Sequence, residues 1–355
     1  MPNTVPLGRR SATVAALCAA ALPTFVAQPA SAADTPLRPA LQRDADALLP
    51  LGAPSVLVGV QLGDRTVKVR SGHANLRTRR AVPWDARFRI GSMTKPFVAT
   101  VVLQLVGEGR LSLDDRVERW LPGVVKGNGN DGAAITVRQL LQHTSGLPDY
   151  THRIPWILDR AGFEEHRLDT VTPQEAVRTA LEEKPVFAPG TSWSYSNTNY
   201  MLAGMIIQAV TGRTWQDEVR ARIVTPLGLR ATTLPETDPK MPEPHAVGYE
   251  RFPGPGATAE NPRYGKQIDA TLQNVSWGGA AGEIISTVDD GNRFLQALVG
   301  GRLLPAAQLA EMQRTVPTEP GFRKNWPGVR YGLGLMRVPT SCGVSWSHGG
   351  DIMAT

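Results

Sequence analysis

Cysteine is almost absent from this 355-residue chain, which holds only Cys18 and Cys342. Lysine is scarce as well: seven of the 38 basic residues are lysines, and no basic run is clustered enough to mark a nucleic-acid footprint. The six histidines are scattered and His-Glu-x-x-His does not occur, which argues against a metallo-hydrolase. No Gly-x-Ser-x-Gly elbow exists, which disfavours a general α/β-hydrolase, and no glycine-rich loop is available to cradle a phosphate. No apolar run is long and unbroken enough for a permanent membrane anchor.

What is present begins with a leader. Arg9 and Arg10 supply a positive start, Ser11 to Ala27 is mostly apolar and small, and Ala30-Ser31-Ala32 offers a small-x-small cleavage pattern. Residues 1–32 are therefore expected to be a signal peptide removed near Ala32, giving a secreted protein. Losing Arg9 and Arg10 lowers the net charge from +6 to +4, an ordinary solvated surface. Cys342 is then the single cysteine of the exported chain, an odd thiol that needs an explanation.

The pattern of the remainder predicts an α+β protein. Ser55 to Arg70 reads as a hairpin about Gly63-Asp64. Val98, Val101, Val102, Leu105 and Val106 recur at helical spacing, with Pro96 in the first turn and Gly107 and Gly109 at the end. Met201, Leu202, Met205, Ile206, Ala209 and Val210 form a second helical stripe closed by Gly212. Residues 232–270 are rich in proline and glycine and read as an irregular excursion. A short helix follows Asp289, and Tyr331–Leu335 and Gly343–His348 read as antiparallel strands. Strands at both ends with helices between predict a sheet domain carrying an inserted helical domain. The expected division is 33–90 and 271–355 for the two parts of the sheet domain and 91–270 for the helical domain with its excursion.

Ser92-Met93-Thr94-Lys95 carries the chemical argument. Residues three apart share one helix face, so Lys95 can reach the Ser92 hydroxyl and take its proton, provided burial or neighbouring charge lowers the lysine pKa. With 15 serines and seven lysines, about 0.3 such matches (15 × 7 / 355) are expected by chance, so the motif needs company. The company is Tyr195-Ser196-Asn197 and His348-Gly349-Gly350. A tyrosine can relay a proton as phenolate or phenol, and an asparagine can donate to a substrate carbonyl while holding the lysine. Two glycines after a strand let a substrate backbone approach edge-on.

Ser-x-x-Lys, Tyr-x-Asn and His-x-Gly in this order resemble the serine β-lactamase and DD-peptidase family of penicillin-recognising enzymes. The likeness extends through Arg89-Ile-Gly-Ser-Met-Thr-Lys-Pro-Phe97, Leu140-Leu-Gln-His-Thr-Ser-Gly-Leu-Pro148 and Tyr331-Gly-Leu-Gly-Leu335. It looks most like the secreted D-alanyl-D-alanine carboxypeptidases, where histidine opens the third motif. The resemblance implies a β-lactamase-like fold, with Ser92 as nucleophile and Lys95 and Tyr195 as proton carriers. It implies that Asn197 and Trp277 hold the substrate, while His348, with Gly349 and Gly350, sets the electrostatics for a terminal carboxylate. Backbone N–H groups of Ser92 and Asp351 would form the oxyanion hole. The implied partners are peptidoglycan stem peptides or related D-amino-acid peptides and β-lactams, with no nucleic acid, no metal or cofactor, and a monomeric state.

Two features depart from the pattern. Gly349 and Asp351 stand where carboxypeptidases of this branch tend to carry hydroxyl side chains, and Asp351 would repel a carboxylate. The family also continues past the third motif with two strands and a helix, so the sheet is expected to be incomplete at the C-terminus. An extension of about 30 to 50 residues would supply them, together with a cysteine to pair with Cys342. Rivals on the same scaffold are a β-lactamase, an esterase or a D-amino-acid amidase. A rival of another class is a penicillin-binding sensor that acylates without turnover.

Overall fold

A computed structural model describes residues 34–154, 159–254 and 263–354. The leader and part of the proline-rich excursion, 255–262, lie outside the described residues. The expected hairpin forms from Ser55–Leu62 and Arg65–Gly72, in register from Ser55 opposite Gly72 to Leu62 opposite Arg65. Alternation turns Val67, Val69 and Ser71 inward. The Asp34–Ala47 helix is tied to the hairpin by Gln42 Nε2 donating to Arg70 O at 3.1 Å and Ser71 Oγ donating to Asp46 at 2.5 Å. The Val288–Val299 helix is tied to it through Asn292 Nδ2, which donates to Gly59 O at 3.1 Å.

The helix predicted over Val98–Val106 runs Thr94–Gly107, and all its residues from Thr94 to Leu103 are buried. Its last carbonyls are closed by Glu108, and Gly109 at φ +70° turns the chain away. Around it lies one core in which Val101, Leu103, Ile206, Ala280, Ile284, Phe294 and Leu335 share contacts. Phe97 stacks on Phe294 at 3.6 Å between ring centroids. This core draws residues from both sides of the boundary expected between residues 270 and 271, while Trp193, Val329, Tyr331 and Met336 form a smaller cluster on the sheet. The second stripe forms the Thr198–Thr211 helix, ended by Gly212 at φ +75°.

Near the C-terminus the expected strands shift by one element. Tyr331–Leu335 is not a strand: only Arg330–Tyr331 is extended, and Gly332–Leu335 makes a turn with Gly334 at φ +78°. The partner of Gly343–Ser347 is Met336–Thr340. Two glycines within four residues favour the turn over the ladder despite the apolar pattern. The four-stranded sheet runs Gly343–Ser347, Met336–Thr340, Arg330–Tyr331, Val316–Pro317. Among the described residues the N-terminal hairpin shares no ladder with it. A cavity of about 180 Å³ opens under the hairpin between Leu57, Val82, Phe88, Met241 and Thr271, and no residue of the three motifs lines it. Cys342 is exposed in the turn between the last two strands. No described helix is long and apolar enough to cross a membrane.

Candidate active site

Ser92 lies in a single 3₁₀ turn, Gly91–Met93, that leads directly into the Thr94–Gly107 helix. The turn is a tight fit. Gly91 has φ +52°, and a Cβ there would stand 2.8 Å from Asp351 N, so only glycine lets the two segments meet. Gly350 is equally constrained, since its Cβ would fall 2.0 Å from Ile90 O. These two close approaches bring Asp351 beside the Ser92 turn, in which Met93 N donates to Ile90 O at 3.1 Å.

Lys95 is fully buried. Its Nζ lies 2.9 Å from Ser92 Oγ, 2.8 Å from Asn197 Oδ1 and 2.8 Å from Ala281 O. Burial lowers its pKa to about 7, against a smaller opposing pull from Asp149. The three partners suit both charge states. The ammonium donates to all three, whereas the neutral amine spends its two N–H donors on the carbonyl oxygens and turns its lone pair to Ser92 Oγ–H. Tyr195 O–H donates to the same Ser92 Oγ at 2.8 Å. Burial raises the Tyr195 pKa, so it stays a phenol; of the two forms open from sequence, the phenolate is disfavoured.

The second motif is anchored by residues 143–150, which overlap the Leu140–Pro148 match but carry no role of their own in the sequence reading. Asn197 Nδ2 donates to Asp149 at 3.0 Å while its oxygen receives Lys95. Ser196 Oγ donates to Pro148 O at 3.0 Å. Tyr150 O–H donates to the carbonyl of Trp277, which is half-buried against the main core. Phe322, on the short Pro320–Asn325 helix, lies nearly parallel to the Tyr195 ring at 6.4 Å. Neither Phe322 nor Asp149 belongs to a motif; only the folded contacts single them out.

The third motif needs a correction. His348 was expected to present positive charge to a carboxylate. Instead it is 7% exposed, and burial with the Lys95 charge lowers its pKa to about 3. Its Nδ1 donates to Gly349 O at 2.6 Å and its Nε2 accepts from Tyr331 O–H at 2.8 Å. Both nitrogens are spent inside the protein, and the ring is neutral. Glycines 349 and 350 add no side-chain donor, and exposed Asp351 adds a negative charge.

The Lys95 amine and the Tyr195 phenol thus both meet the Ser92 hydroxyl. The β-lactamase family model covers residues 42–355. The chain belongs to the β-lactamase family. Within it, the fold is similar to a D-stereospecific amidohydrolase from Streptomyces sp., with 45% identity, TM-score 0.80, and 90% of this chain and 88% of that one covered. It is similar to the D-amino acid amidase of Ochrobactrum anthropi SV3, with 33% identity, TM-score 0.73, and 89% and 84% covered. In sequence it is 32% identical over 182 residues to penicillin-binding protein 4* of Bacillus subtilis, covering 50% of this chain and 38% of that protein. The chain therefore spans well under half the length of that curated relative.

Proposed function

We propose that this β-lactamase-family serine hydrolase cleaves amide bonds of D-amino-acid derivatives that carry no free carboxylate beyond the scissile bond. The observation that carries the reaction is the Lys95 amine, whose N–H donors are taken by Asn197 and Ala281 so that its lone pair meets Ser92 Oγ–H. Ser92 Oγ attacks the amide carbonyl as its proton passes to Lys95. The oxygen that gains charge is received by the N–H groups of Ser92 and Asp351. As the carbon–nitrogen bond breaks, the leaving amine takes a proton through Tyr195, leaving an acyl group on Ser92. Water then attacks the ester, gives its proton back through the same pair, and frees the D-amino acid and the serine.

The substrate class rests on the third motif. A neutral His348, two glycines and Asp351 offer no cation or hydroxyl to a terminal carboxylate, whereas an uncharged amide leaves nothing unpaired there. Similarity to a D-stereospecific amidohydrolase and a D-amino acid amidase supports the same choice. D-alanyl-D-alanine carboxypeptidase action is the second reading, supported by the order of the three motifs and by the penicillin-binding relative. In either reading β-lactams acylate Ser92, and the 1–32 leader directs export. Hydrolysis of D- and L-phenylalanine amide should be compared with that of a D-alanyl-D-alanine peptide, with peptide mapping of the acylated serine. Turnover of the D-amide supports the proposal. Turnover of the peptide alone establishes the second reading, and an adduct surviving in Ser92→Ala overturns both.

A further inference from the structure

His143 takes no part in the proton path, yet among the described residues its ring lies nearer the Tyr195 ring than any other aromatic ring does. The Val137–Gln142 helix opens with a capping box between Thr136 and Gln139 and ends on His143 at φ +61°, an unusual conformation for a side chain other than glycine. That turn aims both the backbone and the ring of His143 at the second motif. His143 O accepts from Ser194 N at 3.1 Å, and His143 Nδ1 accepts from Ser196 N at 3.2 Å. The residues on either side of Tyr195 are thus bonded to one histidine. The two rings meet at 4.3 Å between centroids, tilted by 31°.

The imidazole is held in one form. Asn199 Nδ2 also faces Nδ1, at 3.1 Å, and Ser145 Oγ donates to Asn199 Oδ1 at 2.6 Å, which fixes that amide as a donor. Nδ1 is therefore bare and Nε2 carries the proton. Nε2 is buried without a polar partner, and the ring is enclosed by Tyr331 at 4.9 Å, Tyr200 at 5.5 Å and Trp193 at 5.9 Å. Full burial beside Lys95 and His348 keeps the pKa far below that of an ordinary histidine. A fully buried N–H left without a partner is unfavourable, and neither a phenylalanine nor an asparagine would supply the ring and the acceptor together.

We propose that His143 is a positioning residue that sets the reach of Tyr195 O–H to Ser92 Oγ, resting on the assignment of Ser92 as nucleophile. It acts through both backbone flanks of Tyr195 and through its ring. A misplacement of the phenol by a fraction of an ångström then slows acylation without removing any group that touches substrate.

The test is the second-order rate constant for labelling Ser92 in the full chain with a fluorescent penicillin, whose departing amide nitrogen needs the Tyr195 proton, alongside the melting temperature. His143→Phe keeps the ring and removes the acceptor; His143→Asn keeps an acceptor near Nδ1 and removes the ring. Losses of about 100-fold and about 10-fold are expected, with one label per chain still reached at completion. A purely structural role would lower the melting temperature and leave the labelling rate of folded protein unchanged, and that result overturns the proposal. The double variant with Tyr195→Phe decides independently, even where His143→Phe does not fold. If His143 acts through Tyr195, adding His143→Asn to Tyr195→Phe slows labelling by less than about twofold, and multiplied losses overturn it. Wild-type protein that takes the label but leaves D-phenylalanine amide intact refutes the substrate reading alone. Wild-type protein that takes no label removes the basis of both.

Discussion

Lys95 Nζ stands 4.8 Å from the centroid of the Tyr195 ring while both side chains bond the same atom, Ser92 Oγ. A cation over that ring favours the lysine's protonated form, and the negative charge of Asp149 does so too. Burial wins and brings the pKa to about 7. The proton acceptor for Ser92 is then the lysine amine, available near neutrality, with the phenol as donor. Labelling of Ser92 should accordingly rise with pH along a limb centred near 7 and level off above it. Rates measured from pH 5 to 9 check this, and a flat profile excludes Lys95 as the base. Lys95→Ala should be nearly as slow as Ser92→Ala, because the pair acts as a unit.

The same burial couples Lys95 to stability. Its folded pKa of about 7 lies below the ordinary 10.5, so between those values the unfolded chain binds the extra proton. Stability from this group therefore rises with pH across that window. Buried Glu283 works in the opposite sense between 4.5 and about 8. The buried tyrosines, raised above 10, oppose it at higher pH. The clean interval is pH 8 to 10, where Lys95 should contribute a slope of about 1.4 kcal/mol per pH unit. Denaturant titrations of wild type and Lys95→Met across that interval should differ by this slope. Parallel curves would show that the lysine is charged in the native state.

The parts of this site legible in sequence are those fixed by short-range geometry. Ser92 and Lys95 share a helix face because they are three residues apart, and the apolar period located their helix. The charge of His348 was not legible, because it depends on Tyr331 and on burial that only the folded sheet supplies. Asp149 and His143 escaped for the same reason: each acts through residues about fifty positions away. The misplaced 331–335 strand was a local error, in which an apolar alternation outweighed two glycines. Similarity to the family supplied the three motifs, and the departures at Gly349 and Asp351 were visible beside them.

His348 gives a prediction that reverses the expectation drawn from charge. Replacing it with lysine would bury a second cation near Lys95 and leave Tyr331 O–H without its acceptor. His348→Gln keeps an acceptor near the Nε2 position. His348→Lys should destabilise the protein by about 2–4 kcal/mol and slow acylation more than His348→Gln does. Melting curves and labelling rates for the two variants check the order. A lysine variant as stable and active as wild type would show that the position tolerates charge.

Asp351 carries the last prediction, which concerns selectivity. Its backbone meets the Ser92 turn while its exposed side chain is close enough for its charge to raise the Tyr195 pKa. A substrate carboxylate leaving past this point would meet that charge with no cation from His348 to offset it. Asp351→Asn removes the repulsion and leaves the backbone N–H in place. One exposed charge interaction at this range amounts to about 1 kcal/mol. The variant should therefore improve kcat/KM for D-alanyl-D-alanine peptides about fivefold relative to D-phenylalanine amide. The ratio of the two specificity constants, measured at low and at high salt, is the test. The gain should shrink as salt screens the charge in the wild type. An unchanged ratio at low salt would mean that the leaving group exits away from Asp351, and the argument for an uncharged amide substrate would lose its electrostatic support.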